Sequence, residues 1–152
     1  MISLKNIQGI DYKNIISAFA DDINCNSQEW TEELMRKKLD FFYHDFFSVE
    51  GKNGDKLGFA YSFDFRLQDS NCKIKVTLFD KSNAALVEET ICKIKDYIFK
   101  EYPIKTIYYT CFPDEVENSI LVRLGFTRVA NLKEYIYRNG KYEDEIIYAV
   151  IA

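Results

Sequence analysis

Glycine and proline are scarce in this 152-residue chain, with six and two copies respectively. That scarcity excludes collagen-like and low-complexity architectures, which are built from those residues. Histidine occurs once, as His44, and the four cysteines (Cys25, Cys72, Cys92 and Cys111) are widely spaced without a C-x-x-C pair. No zinc signature follows, and no metal is expected. Basic residues are not in excess: 20 Lys and Arg stand against 24 Asp and Glu, a net charge of −4. With no basic run either, nucleic acid is not an expected partner. No stretch approaches the roughly 18 consecutive apolar residues of a membrane span, so no membrane partner is expected. Met1 to Gly9 alternates polar and apolar residues and lacks the basic start and apolar block of a secretory leader. A cytosolic protein with free thiols is the expectation.

What the chain has in quantity is aromatic side chains, 12 Phe and 11 Tyr against one Trp. Each buries a large area, so one compact domain over residues 1–152 can hold a substantial core. The same aromatic surface on a small domain is compatible with a homodimer. The mild acidity is easier to reconcile with a cationic small molecule than with an anionic one.

Periodicity orders the chain. Ile2 and Leu4 mark a short opening strand; Asp11 caps a helix carrying Ile15, Ile16 and Phe19; Ser27 starts a second, acidic early and basic late. The dense aromatic run Phe41 to Phe47 leads into a hairpin turning at Asn53-Gly54. The returning strand places Leu57, Phe59, Tyr61, Phe63 and Phe65 on one face. Gly58, Ala60, Ser62 and Asp64 lie on the other, leaving room there for a close approach. Ile74, Val76 and Leu78 share a face of the next strand, and Ala84 to Lys100 is a long amphipathic helix with Val87, Ile91, Ile94 and Ile98 in phase. Ser82 or Asn83 can cap it, and Pro103 follows it. A fifth strand spans Ile104 to Phe112. Asp114 with Glu117 makes a capping-box-like start to a short helix that ends at Gly125. Two last strands, Leu132 to Tyr137 and Asp144 to Ile151, join through Asn139-Gly140. The fold class is therefore mixed α/β (α+β), a mostly antiparallel sheet of about seven strands flanked by about four helices.

This order resembles that of the GCN5-related N-acetyltransferase family, GNAT. The residues that carry the resemblance are Glu117 to Phe126, which look like the family's final helix ending in Lys/Arg-Leu-Gly-Phe. Tyr135 to Asp144 is similar to the closing hairpin of the branch that acetylates ribosomal-protein N-termini. Physically, Gly125 can take the positive φ of a helix stop, and Phe126 packs the returning chain on the sheet. The resemblance implies an acyl-CoA N-acyltransferase fold, acetyl-CoA as co-substrate, and an amine acceptor.

It also implies where that chemistry lies. The pyrophosphate would rest on backbone N–H groups at the start of the long helix, which attract anions through unpaired donors and the helix dipole. The family marks this loop with glycines, and here none occurs between Gly58 and Gly125. Two registers remain: Asn83 and Ala85 in the glycine places, or Ala85 and Val87. The cofactor-binding candidates are Leu78, Phe79, Lys81, Ser82, Asn83, Ala84 and Ala85. An N–H near Leu78 or Phe79 would face the thioester carbonyl. The family's frequent Asn of the final helix falls on Asp114 or is displaced to Asn118. Its usual general-acid Tyr falls on Leu121, which cannot donate a proton. Substitutes are Tyr108 and Tyr109 on the fifth strand and His44, the single histidine; for all three the structural role is the plainer reading. Cys111 reads as a buried thiol.

Lys73 and Lys75 alternate with Ile74 and Val76, which indicates a partly covered face or a charged ligand, partial cover being preferred. The aromatic run Phe41 to Phe47, with Tyr61 and Phe63, would border the acceptor: a small-molecule amine such as a polyamine or aminoglycoside, or a peptide N-terminus. The alternative function is a binding module on the same fold whose chemistry has been lost, supported by the missing loop glycines, Leu121 and Asp114.

Overall fold

The structure is a computed structural model, and it describes residues 1–6 and 43–152. The helices expected from Asp11 and Ser27, the residues Phe41 and Phe42, and Cys25 lie outside the described residues. Seven strands form one sheet: β1 (Ser3–Asn6), β2 (Tyr43–Glu50), β3 (Lys56–Arg66), β4 (Asn71–Leu78), β5 (Thr106–Cys111), β6 (Thr127–Arg138) and β7 (Lys141–Ile151). Two helices are described, α1 (Ala84–Glu101) between β4 and β5 and α2 (Glu117–Arg123) after β5. The spatial order is β1-β2-β3-β4-β5-β7-β6. Every neighbouring pair is antiparallel except β4 and β5. A parallel pair needs a crossover, and α1 supplies it.

α1 forms where the spacing of four, three and four predicts it. Val87, Ile91, Ile94 and Ile98 are buried against Ile74, Val76, Ile107 and Ala60. Each such side chain contributes about 1.5–3 kcal/mol by leaving water. Of the two possible caps, Asn83 is used: its side-chain oxygen accepts the Leu86 N–H at 3.1 Å. α2 is held by Ile120 and Leu121, both fully buried, and by an Arg123–Glu88 ion pair at 2.8 Å to α1. Its end is a paired-bond stop: Phe126 N–H donates to Leu121 O at 2.9 Å and Gly125 N–H to Val122 O at 3.1 Å, with Gly125 at φ +88°. The last hairpin turns at Asn139 and Gly140, both at positive φ, as the two-residue turn requires. Its strands run further than their apolar residues indicate, because cross-strand pairing continues through polar positions.

Three local expectations change. The capping box of Asp114 and Glu117 does not form; the helix begins after Val116 without a side-chain cap. Glu115 instead accepts the Phe112 N–H at 2.9 Å and closes the loop after β5. Phe65 leaves the aromatic face, because a bulge with Asp64 at φ +46° adds a residue and reverses the alternation. It stacks on His44 with ring centroids 4.0 Å apart. The small residues of β3 leave no open space either. Ala60 and Ser62 are fully buried, and a Cβ on Gly58 would meet the Thr77 carbonyl oxygen at 2.3 Å. What approaches β3 there is the backbone of its own neighbour β4.

Gly58 and Gly125 therefore predict different costs for alanine. Gly58→Ala, with φ +154° and a backbone clash, is expected to lose about 3 kcal/mol or more. Gly125→Ala meets no atom within 4 Å and carries only the left-handed penalty, about 1–2 kcal/mol. Urea unfolding of both variants checks the order; equal losses would contradict the close β3–β4 approach.

Candidate active site

The β4–β5 ladder is short. It pairs Asn71, Cys72 and Lys73 with Thr106, Ile107 and Tyr108, and then the strands part. The opening is a consequence of register. Phe79 N–H donates to Leu57 O at 2.9 Å, and Thr77 and Lys75 alternate with it in pairing with β3. Antiparallel alternation then turns the N–H groups of Val76 and Leu78 toward β5, where no ladder partner follows.

Side chains occupy the inner end of this gap. The Tyr109 hydroxyl accepts the Val76 N–H at 3.4 Å, and the Lys75 ammonium donates to the Thr110 carbonyl at 3.0 Å. The same ammonium lies 4.8 Å from the Tyr109 ring centroid and 4.0 Å from Glu115 Oε2. Each strand thus satisfies a backbone group of the other through a side chain. Lys73 has the partial cover expected of it, 41% exposed and 3.3 Å from Asp64. Lys75, only 15% exposed, is wedged in the gap. Tyr109 is fully buried, and burial pushes its phenol well above the ordinary value.

Outward from this plug, a cleft of about 280 Å³ is lined by Val76, Thr77, Leu78, Lys81, Val87 and the segment Asp114 to Glu117. Three carboxylates, Asp114, Glu115 and Glu117, and one ammonium, Lys81, face it. Leu78 lines it, with its N–H directed toward β5 by the alternation, whereas the Phe79 N–H is held by Leu57. Of the two expected carbonyl donors, Phe79 is therefore excluded. Phe79 contributes a half-exposed ring, set edge-on against Phe59.

The loop into α1 is built differently from a glycine cradle. Ser82 gives both its N–H and its hydroxyl to the Asp80 carboxylate, which holds that carboxyl below its usual value. Ser82 is thereby withdrawn as a direct phosphate donor. Asn83 caps the helix, and Ala84 N–H donates to Ser82 O at 3.1 Å. Ala85, exposed in the first turn, presents an N–H with no acceptor among the described residues. The loop fits an anion with Ala85 and Lys81 as its donors, and the cleft fits a slender polar chain such as pantetheine beside Leu78.

The remaining candidates separate clearly. Asn118 is saturated within the protein. Its Nδ2 donates to the carbonyls of Phe112 and Glu115, both at 2.8 Å, and its Oδ1 accepts from Tyr148 and Cys111. It fastens the β5–α2 loop and is corrected from cofactor ligand to brace. Asp114 lines the cleft and lies 3.5 Å from Arg138, but a carboxylate cannot donate to a cofactor carbonyl. His44 is exposed, between Phe65 and Tyr102 at the C-terminal end of α1. The cleft is at the N-terminal end of that helix, about 27 Å away along an 18-residue axis. His44 is thereby removed from the site. Tyr108 projects to the face opposite Tyr109 and is half-buried. Cys111 is buried and its thiol is pushed up to about 12 by burial, which fits an inert packing residue. No group of three or more His, Cys, Asp or Glu residues is placed to hold a metal among the described residues.

For Lys75 the preferred partial cover does not hold, since its side chain is wedged in the gap, and Glu115 is a site residue that the sequence does not indicate. The place of Glu115 depends on the loop closing back on Phe112.

Comparison with known proteins bears on the fold and the family. The family model for the acetyltransferase (GNAT) domain matches residues 2–147. An uncharacterized N-acetyltransferase of Bacillus subtilis is 31% identical over 64 residues, 41% of this chain, and the match spans 36% of that relative's length. A dodecameric spermidine N-acetyltransferase from Vibrio cholerae superposes with a TM-score of 0.82 at 18% identity, covering 99% of this chain and 93% of the other. The same enzyme solved with CoA and spermine gives 0.78 at 19%, with 99% and 95% covered. A ribosomal-protein alpha-N-acetyltransferase in complex with coenzyme A gives 0.79 at 16%, with 99% and 93% covered. At these identities the solved structures speak for the fold, and the family model, reaching across nearly all of the chain, speaks for descent. The chain belongs to the GNAT acetyltransferase family.

Proposed function

We propose that the protein transfers the acetyl group of acetyl-CoA to a primary amine, a small molecule or a peptide N-terminus, in the cleft between β4 and α2. The observation that supports this reading is the end of the β4–β5 ladder at Lys73, which leaves the Leu78 N–H, at the lining of the cleft, without a ladder partner among the described residues. A donor fixed by a strand is preorganised for the oxyanion of acyl transfer. Leu78 would hold the thioester carbonyl, and Ala85 and Lys81 the pyrophosphate. The three cleft carboxylates give the site a negative potential that draws a cationic amine and favours its approach.

Tyr109 takes the place left by Leu121. Val76 fixes its oxygen, and its own proton is committed to no acceptor among the described residues. The Val76 and Leu78 amides are about 6.6 Å apart along the strand. We place the thioester sulfur on the Val76 side of that carbonyl, toward the Tyr109 hydroxyl at the inner end of the gap. Once the ammonium has lost a proton to solvent, the neutral nitrogen bonds to the carbonyl carbon, Leu78 receives the oxyanion, and the nitrogen then sheds a second proton to solvent. When the C–S bond breaks, the sulfur keeps the electron pair and takes the Tyr109 proton. A cytosolic place belongs to the same reading, with acetyl-CoA as co-substrate and Cys72, Cys92 and Cys111 as free thiols. The acceptor's class is supported by neighbours named for spermidine and for a ribosomal protein.

Two outcomes test this. Titration calorimetry should show acetyl-CoA binding that Ala85→Glu weakens more than about 10-fold with an unchanged melting temperature, since an acidic first turn favours the helix while repelling phosphate. No heat at millimolar acetyl-CoA would instead support the binding-module alternative. In a thiol-release assay over an amine panel, Tyr109→Phe should lower kcat by about 10²–10⁴-fold and, by leaving the Val76 N–H without its acceptor, stability by about 1–3 kcal/mol. A kcat equal to that of the parent would remove Tyr109 from the chemistry.

A further inference from the structure

Tyr109 poses a problem that its surroundings answer. A leaving thiolate has the basicity of an ordinary thiol, near about 8.5, whereas a phenol holds its proton to about 10 in water. Full burial makes phenolate harder still to form. Glu117 at the start of α2 and Glu115 in the loop before it act in the same direction. A buried tyrosine so placed is a poor proton donor unless a positive charge accompanies it.

One is there. The Lys75 ammonium stands 4.8 Å from the centre of the Tyr109 ring, anchored by a 3.0 Å hydrogen bond to Thr110 O in the strand that carries Tyr109. A cation over an aromatic face is attracted by the ring's electrons, and a phenolate ring is far richer in them than a phenol. The contact is therefore stronger after proton transfer than before, which is the condition for lowering a barrier. The anchor has a mechanical consequence too. It bridges β4 to β5 just beyond the last ladder pair, Lys73 with Tyr108, and keeps the ring in the gap.

We propose that Lys75 is a positioning residue for acetyl transfer: its ammonium, fixed between β4 and β5, holds the Tyr109 ring in the gap and stabilises the phenolate formed when the hydroxyl protonates the departing thiolate. The proton balance is simple. The Tyr109 O–H bond breaks and an S–H bond forms; the acceptor nitrogen, having bonded to carbon, sheds one proton to solvent; and solvent returns one to the phenolate. Lys75 remains an ammonium throughout. The inference rests on the acetyltransferase reading of the same cleft and adds to it a second residue, from β4, that replaces what the final helix lacks.

The test is a set of variants in the full chain, assayed with acetyl-CoA and an accepted amine. Lys75→Met keeps the length and removes the charge; it should lower kcat by about 10–100-fold while KM for acetyl-CoA stays within about 3-fold. Lys75→Arg, which keeps a cation and can reach Thr110 O, should recover most of the loss. Lys75→Met combined with Tyr109→Phe should be no slower than Tyr109→Phe alone, because without the hydroxyl there is no phenolate to stabilise. Melting temperatures identify a variant that fails to fold, and Lys75→Arg then carries the comparison against Tyr109→Phe. A Lys75→Met enzyme with the parent's kcat, a loss confined to KM, or additive losses in the double variant would overturn the proposal while leaving the acetyltransferase reading intact. A parent chain that acetylates no amine overturns that reading and the proposal with it.

Discussion

The three-residue parallel ladder between β4 and β5 is the constraint on which the site depends. Antiparallel pairing elsewhere in the sheet joins neighbours over longer stretches, but β4 and β5 meet only from Asn71 to Lys73 and from Thr106 to Tyr108. Because α1 must cross between them, the end of β4 is delivered to the start of α1 on one side of the gap. The end of β5 is delivered to the start of α2 on the other. The opening between those ends is the cleft. The proposed donor, the Leu78 N–H, is turned toward the gap by the alternation of the β3–β4 pairing, without any special residue at that position.

An opening of this kind leaves backbone groups without partners, and unpaired groups in a core are costly. Here the cost is offset by Tyr109 and Lys75, whose side chains satisfy Val76 N–H and Thr110 O. The same two residues that stabilise the divergence are the ones proposed as proton donor and compensating charge. Asn118 does a comparable service at the rim, fixing the Phe112 to Glu115 loop so that Asp114, Glu115 and Glu117 line the cleft. In this account the stability of the split sheet and the proposed chemistry within it draw on overlapping sets of side chains.

Much of the fold is legible in the sequence. The 3.6-residue period of Val87, Ile91, Ile94 and Ile98, and the turn pairs Asn53-Gly54 and Asn139-Gly140, are local signals, and they place α1 and two hairpins correctly. The candidate site is legible only where it is local. The loop into α1 can be found, and Asn83 as its cap, because both depend on neighbours in sequence. His44 looked like a candidate by virtue of its chemistry alone, and its remoteness from the cleft depends on strand order. Asn118 has the right residue type for a ligand, but its hydrogen bonds are spent on carbonyls brought round by a loop. Lys75 needed the knowledge that Thr110 and Tyr109 would face it across a gap, which no spacing along the chain contains.

The central claim is that Leu78 offers the thioester a free N–H while Phe79 beside it does not. Amide chemical shifts in ¹⁵N-labelled protein, followed through an acetyl-CoA titration, examine it directly. The Leu78 resonance should move downfield among the largest changes as its N–H acquires an acceptor, with Phe79 shifting far less because it stays bound to Leu57 O. A saturable titration in which Leu78 stays still, or in which Phe79 moves in its place, would contradict the account.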